Sequence, residues 1–224
     1  DKAVSTNKKS TKMPQVIIKG KGNYKGTCTL DFQISTQDIT NLTLTAADKM
    51  YQNKGGIYGT KVEIVDIDGK KLSAGKDYDK NLTYTYAADT KLSNGVMRKA
   101  GSAIEKNDIM PAGTVIQVTA TGKGSYKGTI SGMYRITKAD ISKASIKIAD
   151  QIYTGKSIEP NASDLTVKIS GKTLGSDCYE IVKCDNNVNK GKAFITINGV
   201  GDYGGVKTVP FKIKGKGFLW WWKK

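Results

Sequence analysis

One short glycine-rich phrase occurs three times in this chain, and its repetition constrains the fold more than any other feature. It reads GKGNYKGT at residues 20–27, GKGSYKGT at 122–129 and, more loosely, GVGDYGGV at 199–206. Each copy follows a β-branched run of alternating polarity and precedes a second run that ends in an aromatic residue and an isoleucine. Such flanks are typical of antiparallel strands joined by a turn. The repeated phrase therefore predicts three β-hairpins.

A glycine-rich phrase that contains lysine could also form a phosphate-binding loop. That function requires a helix to open directly after the glycines, and no helical period follows any copy. The third copy also has no lysine, which a phosphate site would need and a turn would not. We interpret the phrase as a structural turn in which glycine supplies positive φ and tyrosine covers the end of a core. The predicted turn residues are Gly20, Gly22, Tyr24, Gly122, Gly124, Tyr126, Gly199, Gly201 and Tyr203.

The internal likeness extends upstream of the turns and divides the chain into units. Residues 41–54 align with 143–156, and residues 62–78 align with 167–179. Short strands separated by glycine and aspartate turns favour an all-β fold of tandem Ig-like antiparallel β-sandwich domains. We expect the natural protein to be longer toward its N-terminus, because the first unit matches only the last third of the others. The expected divisions are 1–35 (unit one, the C-terminal part of an incomplete Ig-like unit), 36–137 (unit two), 138–214 (unit three) and 215–224 (a Trp/Lys-rich tail).

Unit two differs from unit three by a loop insertion at residues 86–114. Long insertions in sandwich loops often carry binding sites, although a longer hairpin or a short helix over residues 96–108 with only local packing is an alternative. On the binding interpretation the loop is unnecessary to the fold, so replacing it with the CDNNVNKGK of unit three should leave folding intact. We expect four residues of the insertion to contact a ligand. Met97 supplies a flexible apolar side chain, and the three cations are Lys91, Arg98 and Lys99.

Composition excludes several classes of function. The chain has no histidine, so the commonest general base and zinc ligand is missing, and we predict no enzyme, no metal and no cofactor. Its net charge of +16 comes almost entirely from scattered lysines, with only two arginines, which argues against nucleic-acid readout but suits anionic polymers. The cysteines, Cys28, Cys178 and Cys184, are odd in number, so they cannot form an even disulfide framework, and they are interpreted as buried free thiols.

The last residues of the chain are unlike the rest. The sequence KGKGFLWWWKK at residues 214–224 contains all three tryptophans, Trp220, Trp221 and Trp222, beside lysines. Such a segment suits a membrane interface, a glycan-stacking surface or an edge that docks into another subunit, and it could equally be a final strand or flap covering unit three. It is too short to span a bilayer, and no run elsewhere is long enough either. We expect the tail to pack against a sheet edge or an interface.

The string YTGKSIEP at residues 153–160, continued by SGKTLGSDCYEIVKCDNNVNKGKAFITINGVGDYGGVKTVPFKI at 170–213, resembles the Ig-like repeats of large surface and secreted proteins of Gram-positive, chiefly gut, Firmicutes. The resemblance covers almost all of unit three, unit two apart from its insertion, and the end of unit one. It implies an extracellular location, on the cell surface or secreted, and modules that act as stalks, adhesive domains or spacers. It supplies no catalytic residues to carry over.

These observations together predict a non-catalytic extracellular adhesion or display module of a bacterial surface protein. Its expected partner is a host protein, immunoglobulins included, or an anionic surface glycan, with no nucleic acid. The alternative is a rigid spacer, or a set of accessory domains of a larger secreted enzyme, with no ligand of its own.

Overall fold

The computed structural model describes residues 13–215, and its regular elements are almost all β-strands. Unit one contributes a single hairpin, made of β1 (Gln15–Lys19) and β2 (Thr27–Asp31). Within residues 13–215 helical structure is confined to three short 3₁₀ turns, and none of the helices described there is long and apolar enough to cross a membrane.

Unit two is built from strands of two to nine residues. They are β3 (Gln37–Asp38), β4 (Thr43–Ala46), β5 (Lys49–Met50), β6 (Val62–Val65), β7 (Thr83–Tyr86), β8 (Thr90–Lys91), β9 (Met97–Arg98), β10 (Val115–Thr121), β11 (Tyr126–Lys127) and β12 (Thr129–Thr137).

Unit three repeats this series and adds the 3₁₀ turns, at Ile141–Lys143, Ala162–Asp164 and Ser176–Cys178. Its strands are β13 (Ala139–Asp140), β14 (Ser145–Ile148), β15 (Gln151–Ile152), β16 (Leu165–Ile169), β17 (Lys172–Thr173), β18 (Tyr179–Asp185), β19 (Gly191–Gly199), β20 (Tyr203–Gly204) and β21 (Val206–Lys214).

The sheets of the two units have the same strand order. The larger sheet has the order β5-β12-β10-β7 in unit two and β15-β21-β19-β18 in unit three. In each of these sheets the first pair is parallel, β5 with β12 and β15 with β21, and the other pairs are antiparallel. The smaller sheets are β4-β6 and β14-β16-β17. In both units the first short strand, β3 or β13, pairs in parallel with a two-residue strand inside the glycine phrase, β11 or β20. The predicted fold class, all-β with tandem Ig-like antiparallel sandwiches, is confirmed.

Alternating side chains build the core of each unit. In β10, Ile116, Val118 and Ala120 are buried while their neighbours are less so, as expected for a strand with one face on a core. The apolar cluster of unit two continues into unit three, because Tyr51 packs edge-to-face on Tyr203 with 5.6 Å between ring centroids. The two units therefore meet at a packed junction.

Hydrogen bonds hold this junction in addition to the tyrosine pair. A single residue, Lys138, separates the end of β12 from the start of β13. The Asp202 side chain accepts a 2.7 Å hydrogen bond from the backbone amide of Ala112, and the Lys172 ammonium donates to the carbonyl of Asn53 at 2.9 Å. Burial raises the pKa of Tyr203 to about 12, so its phenol is neutral at physiological pH.

The hairpin of unit one is exposed on both faces, unlike its counterparts. Strands β1 and β2 carry no buried residue, whereas the corresponding pair β10 and β12 has one buried face. Cys28, on β2, is therefore exposed, and the interpretation of all three cysteines as buried is wrong at this position. Cys178 and Cys184 are half-buried, and all three thiols are free.

Candidate functional site

The three glycine phrases form the same turn. In each, the amide of the first glycine donates to the carbonyl six residues later, and the glycine at the third position has a positive φ of 63–69°. The closing hydrogen bonds are Gly20 to Gly26 (2.9 Å), Gly122 to Gly128 (2.9 Å) and Gly199 to Gly205 (3.0 Å). No copy opens a helix, so the backbone amides are not gathered at a helix N-terminus as an anion site requires. The phrase closes a hairpin.

The first glycine of each phrase is fixed by close approach of the backbone. A Cβ at Gly122 would lie 2.9 Å from backbone atoms of Lys127, and the equivalent atoms at Gly20 and Gly199 would meet backbone at 2.8 Å and 2.6 Å. The tyrosines differ between copies. Tyr126 and Tyr203 are buried, but Tyr24 in unit one is 79% exposed.

We predict that Gly122→Ala destabilises the chain by about 1–3 kcal/mol, because the added methyl group overlaps backbone that cannot rotate away. Urea unfolding followed by circular dichroism measures the change. Gly59→Ala is the matched control, since φ at Gly59 is ordinary and the nearest atom to its Cβ is the Tyr84 hydroxyl at 4.0 Å. Equal stability of the two variants would contradict the close-approach explanation.

The insertion of unit two, residues 86–114, forms a small hairpin followed by an edge segment. Strands β8 and β9 pair with Lys91 opposite Met97. The chain then returns along the outer edge of β7, where the Tyr86 amide donates to the Ser102 carbonyl at 3.1 Å and Ala103 bridges to Thr85. The alternative of a short helix over residues 96–108 is wrong, because that segment contains β9 and a series of turns.

A polar network ties the insertion to the sandwich. Asp108 is only 2% exposed, and its side chain accepts hydrogen bonds from four donors. Two are the Nε and Nη2 atoms of Arg98, at 3.1 and 2.7 Å, and the others are the Tyr86 hydroxyl at 2.8 Å and the Glu105 amide at 3.0 Å. Burial raises the pKa of the Asp108 carboxyl, but these hydrogen bonds lower it by a larger amount. The pKa of Asp108 is therefore below its ordinary value. Burial and the neighbouring carboxylate raise the pKa of Tyr86. The network therefore contains a charged carboxylate and a neutral phenol.

Apolar residues of the insertion also complete the core. Leu92, Ile104 and Met110 are buried and belong to the main apolar cluster. These contacts argue against the expectation that the insertion can be replaced without loss of folding, since replacement would remove these side chains together with the Asp108 network.

The four predicted contact residues separate into two pairs. Lys91 and Met97 are exposed beside each other, and Met97 is 55% exposed. Arg98 binds Asp108 within the loop, and Lys99 pairs with Asp89 at 2.7 Å. Sequence reasoning missed Val96, which is exposed next to Met97. The Asn-Gly pair at residues 94–95 is a hairpin signal that could have located this tip. We call residues 91–97 the insertion tip.

A cleft of about 440 Å³ lies beside the tip at the junction of the units. Unit two lines it with Asn53, Lys91 and Ser93, and unit three lines it with Asp177 and Asp202. Cys178 also borders the cleft, and burial followed by the Asp177 carboxylate raises the pKa of its thiol, which keeps it protonated and weakly nucleophilic near neutral pH. Among residues 13–215, no three cysteine, aspartate or glutamate side chains gather closely enough to hold a metal ion. The cleft therefore presents polar and charged side chains that could hydrogen-bond to a ligand.

The remaining predicted contact residues, Trp220, Trp221 and Trp222, lie outside the described residues.

No family model matches the chain, and no curated protein matches it in sequence. Solved structures that are similar to it include two protocadherin segments. Extracellular cadherin domains 3–6 of protocadherin gamma B2 match with 9% identity and a TM-score of 0.26, over 85% of this chain and 56% of that one. The EC3-6 cis-dimer structure of protocadherin gammaB7 matches with 12% identity and a TM-score of 0.19, over 81% and 46%. The chain thus spans about half the length of these cadherin segments, and likeness at this level carries no functional argument.

Proposed function

We propose that this chain is a rigid, non-catalytic display segment of an extracellular adhesion protein, of the kind built from tandem Ig-like repeats on the surface of Gram-positive bacteria. The observation that carries the proposal is the junction between units two and three. A one-residue connection, an edge-to-face tyrosine pair and a part-buried hydrogen bond from the Ala112 amide to the Asp202 carboxylate hold the units to each other. A joint of this kind resists bending, which suits a segment that holds something away from a surface.

The contact surface in this proposal is the insertion tip. It combines exposed apolar side chains, Val96 and Met97, with the ammonium group of Lys91. Apolar contact with one adjacent cation suits a protein surface better than a sugar, since glycan sites rely on aromatic faces and dense hydrogen bonding. A host protein with an apolar and acidic patch is therefore the favoured partner, with an anionic glycan as the other candidate, attracted by the lysine-rich surface.

A rigid spacer, including accessory domains behind a secreted catalytic domain, is the second candidate function. The same packed junction favours it, and it needs no insertion tip. The two functions differ in a single measurable property, which is specific binding by the isolated chain.

The test is capture from serum and mucus on beads that carry the full chain, with a parallel screen on immobilised glycans. We expect one or a few host proteins to bind the wild-type chain, and the double substitution Val96→Ser with Met97→Ser to reduce their capture at least tenfold. The matched control is Met133→Ser with Val206→Ser, which changes a Met and a Val outside the tip that are even more exposed than Met97 and Val96, and it should leave capture unchanged. Equal capture by both variants would refute the tip as the contact surface, and no specific capture by the wild type would favour the spacer.

A further inference from the structure

Four exposed lysines gather at one end of the larger sheet of unit three. In β19 and β21, Ala193, Ile195, Phe211 and Ile213 are buried, so the residues between them face outward, away from the core. The opposite end of β19 leads into the glycine phrase that meets unit two, so this end lies away from the junction. We call the cluster the lysine face, and it consists of Lys190, just before β19, Lys192 on β19, and Lys212 and Lys214 on β21.

Two lysines of this face stand directly opposite each other. Lys192 pairs with Lys212 in the antiparallel register, and Lys214 is two residues further along β21. The Cβ atoms of such cross-strand neighbours lie about 5 Å apart, and like charges there repel each other. Lys214 is paired with Asp150, but among residues 13–215 no carboxylate lies within ion-pair distance of Lys190, Lys192 or Lys212. The lysine face therefore keeps an uncompensated positive charge.

Aromatic rings hold two of the ammonium groups in place. The Nζ atom of Lys190 lies 5.2 Å from the centre of the Tyr153 ring, and that of Lys192 lies 5.2 Å from the centre of the Phe194 ring. A ring attracts a cation without neutralising it, so each lysine keeps its charge. A lysine held in this way has already lost part of its side-chain freedom, so it loses less conformational entropy when it binds an anion. These two ammonium groups are therefore preorganised for an acidic ligand.

The repeated fold does not require this arrangement of charge. Aligned on the strands that follow the glycine phrase, the pair Lys192 and Lys212 corresponds to Val115 and Arg135 in unit two. Unit two thus has one cation in a place where unit three has two opposed ones. Since the same sheet forms with either pair, the second lysine is not needed for folding. Its repulsion costs stability unless an anion lies between the two lysines.

A groove of about 450 Å³ adjoins the lysine face. Its walls include Lys192, Lys212 and Pro210. Asp150 also borders the groove, but this carboxylate is already paired with Lys214. The groove therefore offers two ammonium groups to an acidic group that enters it.

An apolar step lies beside these charges. Phe194 is half-buried and stands directly opposite the exposed Pro210, one row along the sheet from the opposed lysines. A sugar ring has apolar C–H faces that can pack on such side chains, while an acidic substituent of the ring contacts an ammonium group. The face thus combines the two kinds of contact that an acidic sugar offers.

The position of the strands favours a sugar chain over an acidic peptide. Strands β19 and β21 lie inside their sheet, between β18 on one side and β15 on the other. An extended peptide gains much of its affinity from main-chain hydrogen bonds at an open strand edge, which inner strands do not provide. Unit three also contains no arginine, the residue that nucleic-acid sites favour for bidentate phosphate contacts.

We propose that the lysine face binds an acidic sugar chain, one that carries carboxylate or sulfate groups, and that an acidic group lies between Lys192 and Lys212. This site is separate from the insertion tip, because the tip lies beside the junction and the lysine face lies at the other end of unit three. The inference does not depend on the tip being a contact surface.

The test is isothermal titration of the full chain with heparin and with polygalacturonate, which are a sulfated and a carboxylated sugar chain. Dextran is the uncharged chain. We expect at least one of the acidic chains to bind and dextran not to bind. The double substitution Lys192→Gln with Lys212→Gln should weaken binding at least about tenfold, as the loss of charge-assisted hydrogen bonds does. Added salt should weaken binding of the wild type more than that of the variant.

The matched control is Lys147→Gln with Lys168→Gln. These two lysines are exposed on the outer face of the smaller sheet of the same unit, so the control removes the same amount of charge. A lysine coat that attracts polyanions without a specific site would lose the same affinity in both variants. Equal losses would therefore overturn the proposal. Thermal unfolding followed by circular dichroism checks that both variants fold.

Polyglutamate distinguishes a sugar site from a site for acidic peptides. We expect it to bind more weakly than the better of the two acidic sugar chains, and equal or tighter binding would contradict the proposal. Failure of the wild type to bind either heparin or polygalacturonate would contradict it as well. Val96→Ser with Met97→Ser should leave sugar binding unchanged, so the lysine face and the insertion tip are tested independently.

Discussion

Replacing Asp108 with alanine is expected to lower the free energy of unfolding by about 3 kcal/mol, the lower end of the range for removing one partner of a buried ion pair, because water reaches part of Arg98. The substitution leaves the buried Tyr86 hydroxyl without its acceptor and the Arg98 guanidinium, which is 30% exposed, without its ion-pair partner. Denaturant unfolding of the full chain measures the loss. Because the insertion also contacts Asp202 through Ala112, the junction should weaken at the same time.

Lys99→Ala is the matched control for this prediction. Lys99 belongs to the same insertion and pairs with Asp89 at the same 2.7 Å, but both partners are largely exposed to solvent. Ion pairs of that kind contribute little because water already solvates each charge. We expect no measurable change on Lys99→Ala. A loss on Asp108→Ala as small as that of the control would show that the insertion is not fixed by its buried carboxylate.

The same carboxylate gives the chain an acid-sensitive component of stability. The pKa of Asp108 is lower in the folded protein than in the unfolded chain, where about 3.9 is ordinary. A group of this kind stabilises the fold above its unfolded pKa, and that contribution disappears as the pH falls through the folded pKa. Stability should therefore decrease below about pH 4, and Asp108→Asn should flatten that part of the pH profile. An unchanged acid limb in the variant would contradict this assignment.

Tyr203→Ala should destabilise unit three by about 3–5 kcal/mol, as large aromatic truncations in cores do. It should also separate the two units, because the Tyr51 ring loses its edge-to-face partner. We expect calorimetry to show one cooperative transition for units two and three in the wild type and two resolved transitions in the variant. Tyr24→Ala is the control, since Tyr24 has the same place in the first glycine phrase but is exposed, and it should change neither stability nor the number of transitions.

A single transition that merely moves to lower temperature in Tyr203→Ala would mean that the junction is coupled through other contacts. The Lys172 hydrogen bond to the Asn53 carbonyl would then be the next group to test.

The fold could be predicted because its determinants are local and repeated. The glycine phrase and its β-branched flanks specify a hairpin within about ten residues, and three copies reinforce one interpretation. The candidate site was predictable only in part. Lys91 and Met97 are exposed as expected, but Arg98 contacts Asp108, ten residues away, and Tyr86, the other partner of Asp108, is 22 residues away from it. No periodic pattern in the sequence indicates such a pairing, so the sequence could not distinguish Arg98, which binds Asp108, from an arginine that is free to contact a ligand.

The parallel pairing of short strands at the ends of each unit has a mechanical consequence. In unit three the early strand β15 pairs in parallel with the last strand, β21, through Gln151 with Ile213 and Ile152 with Lys214. Tension that pulls the two ends of the unit apart draws these strands in opposite directions along their own axes. The hydrogen bonds between the two strands are then loaded at the same time, in shear, and do not break one after another. Resistance to such extension is set by the rate of unfolding, so a small sandwich can withstand pulling for longer than its equilibrium stability alone would indicate.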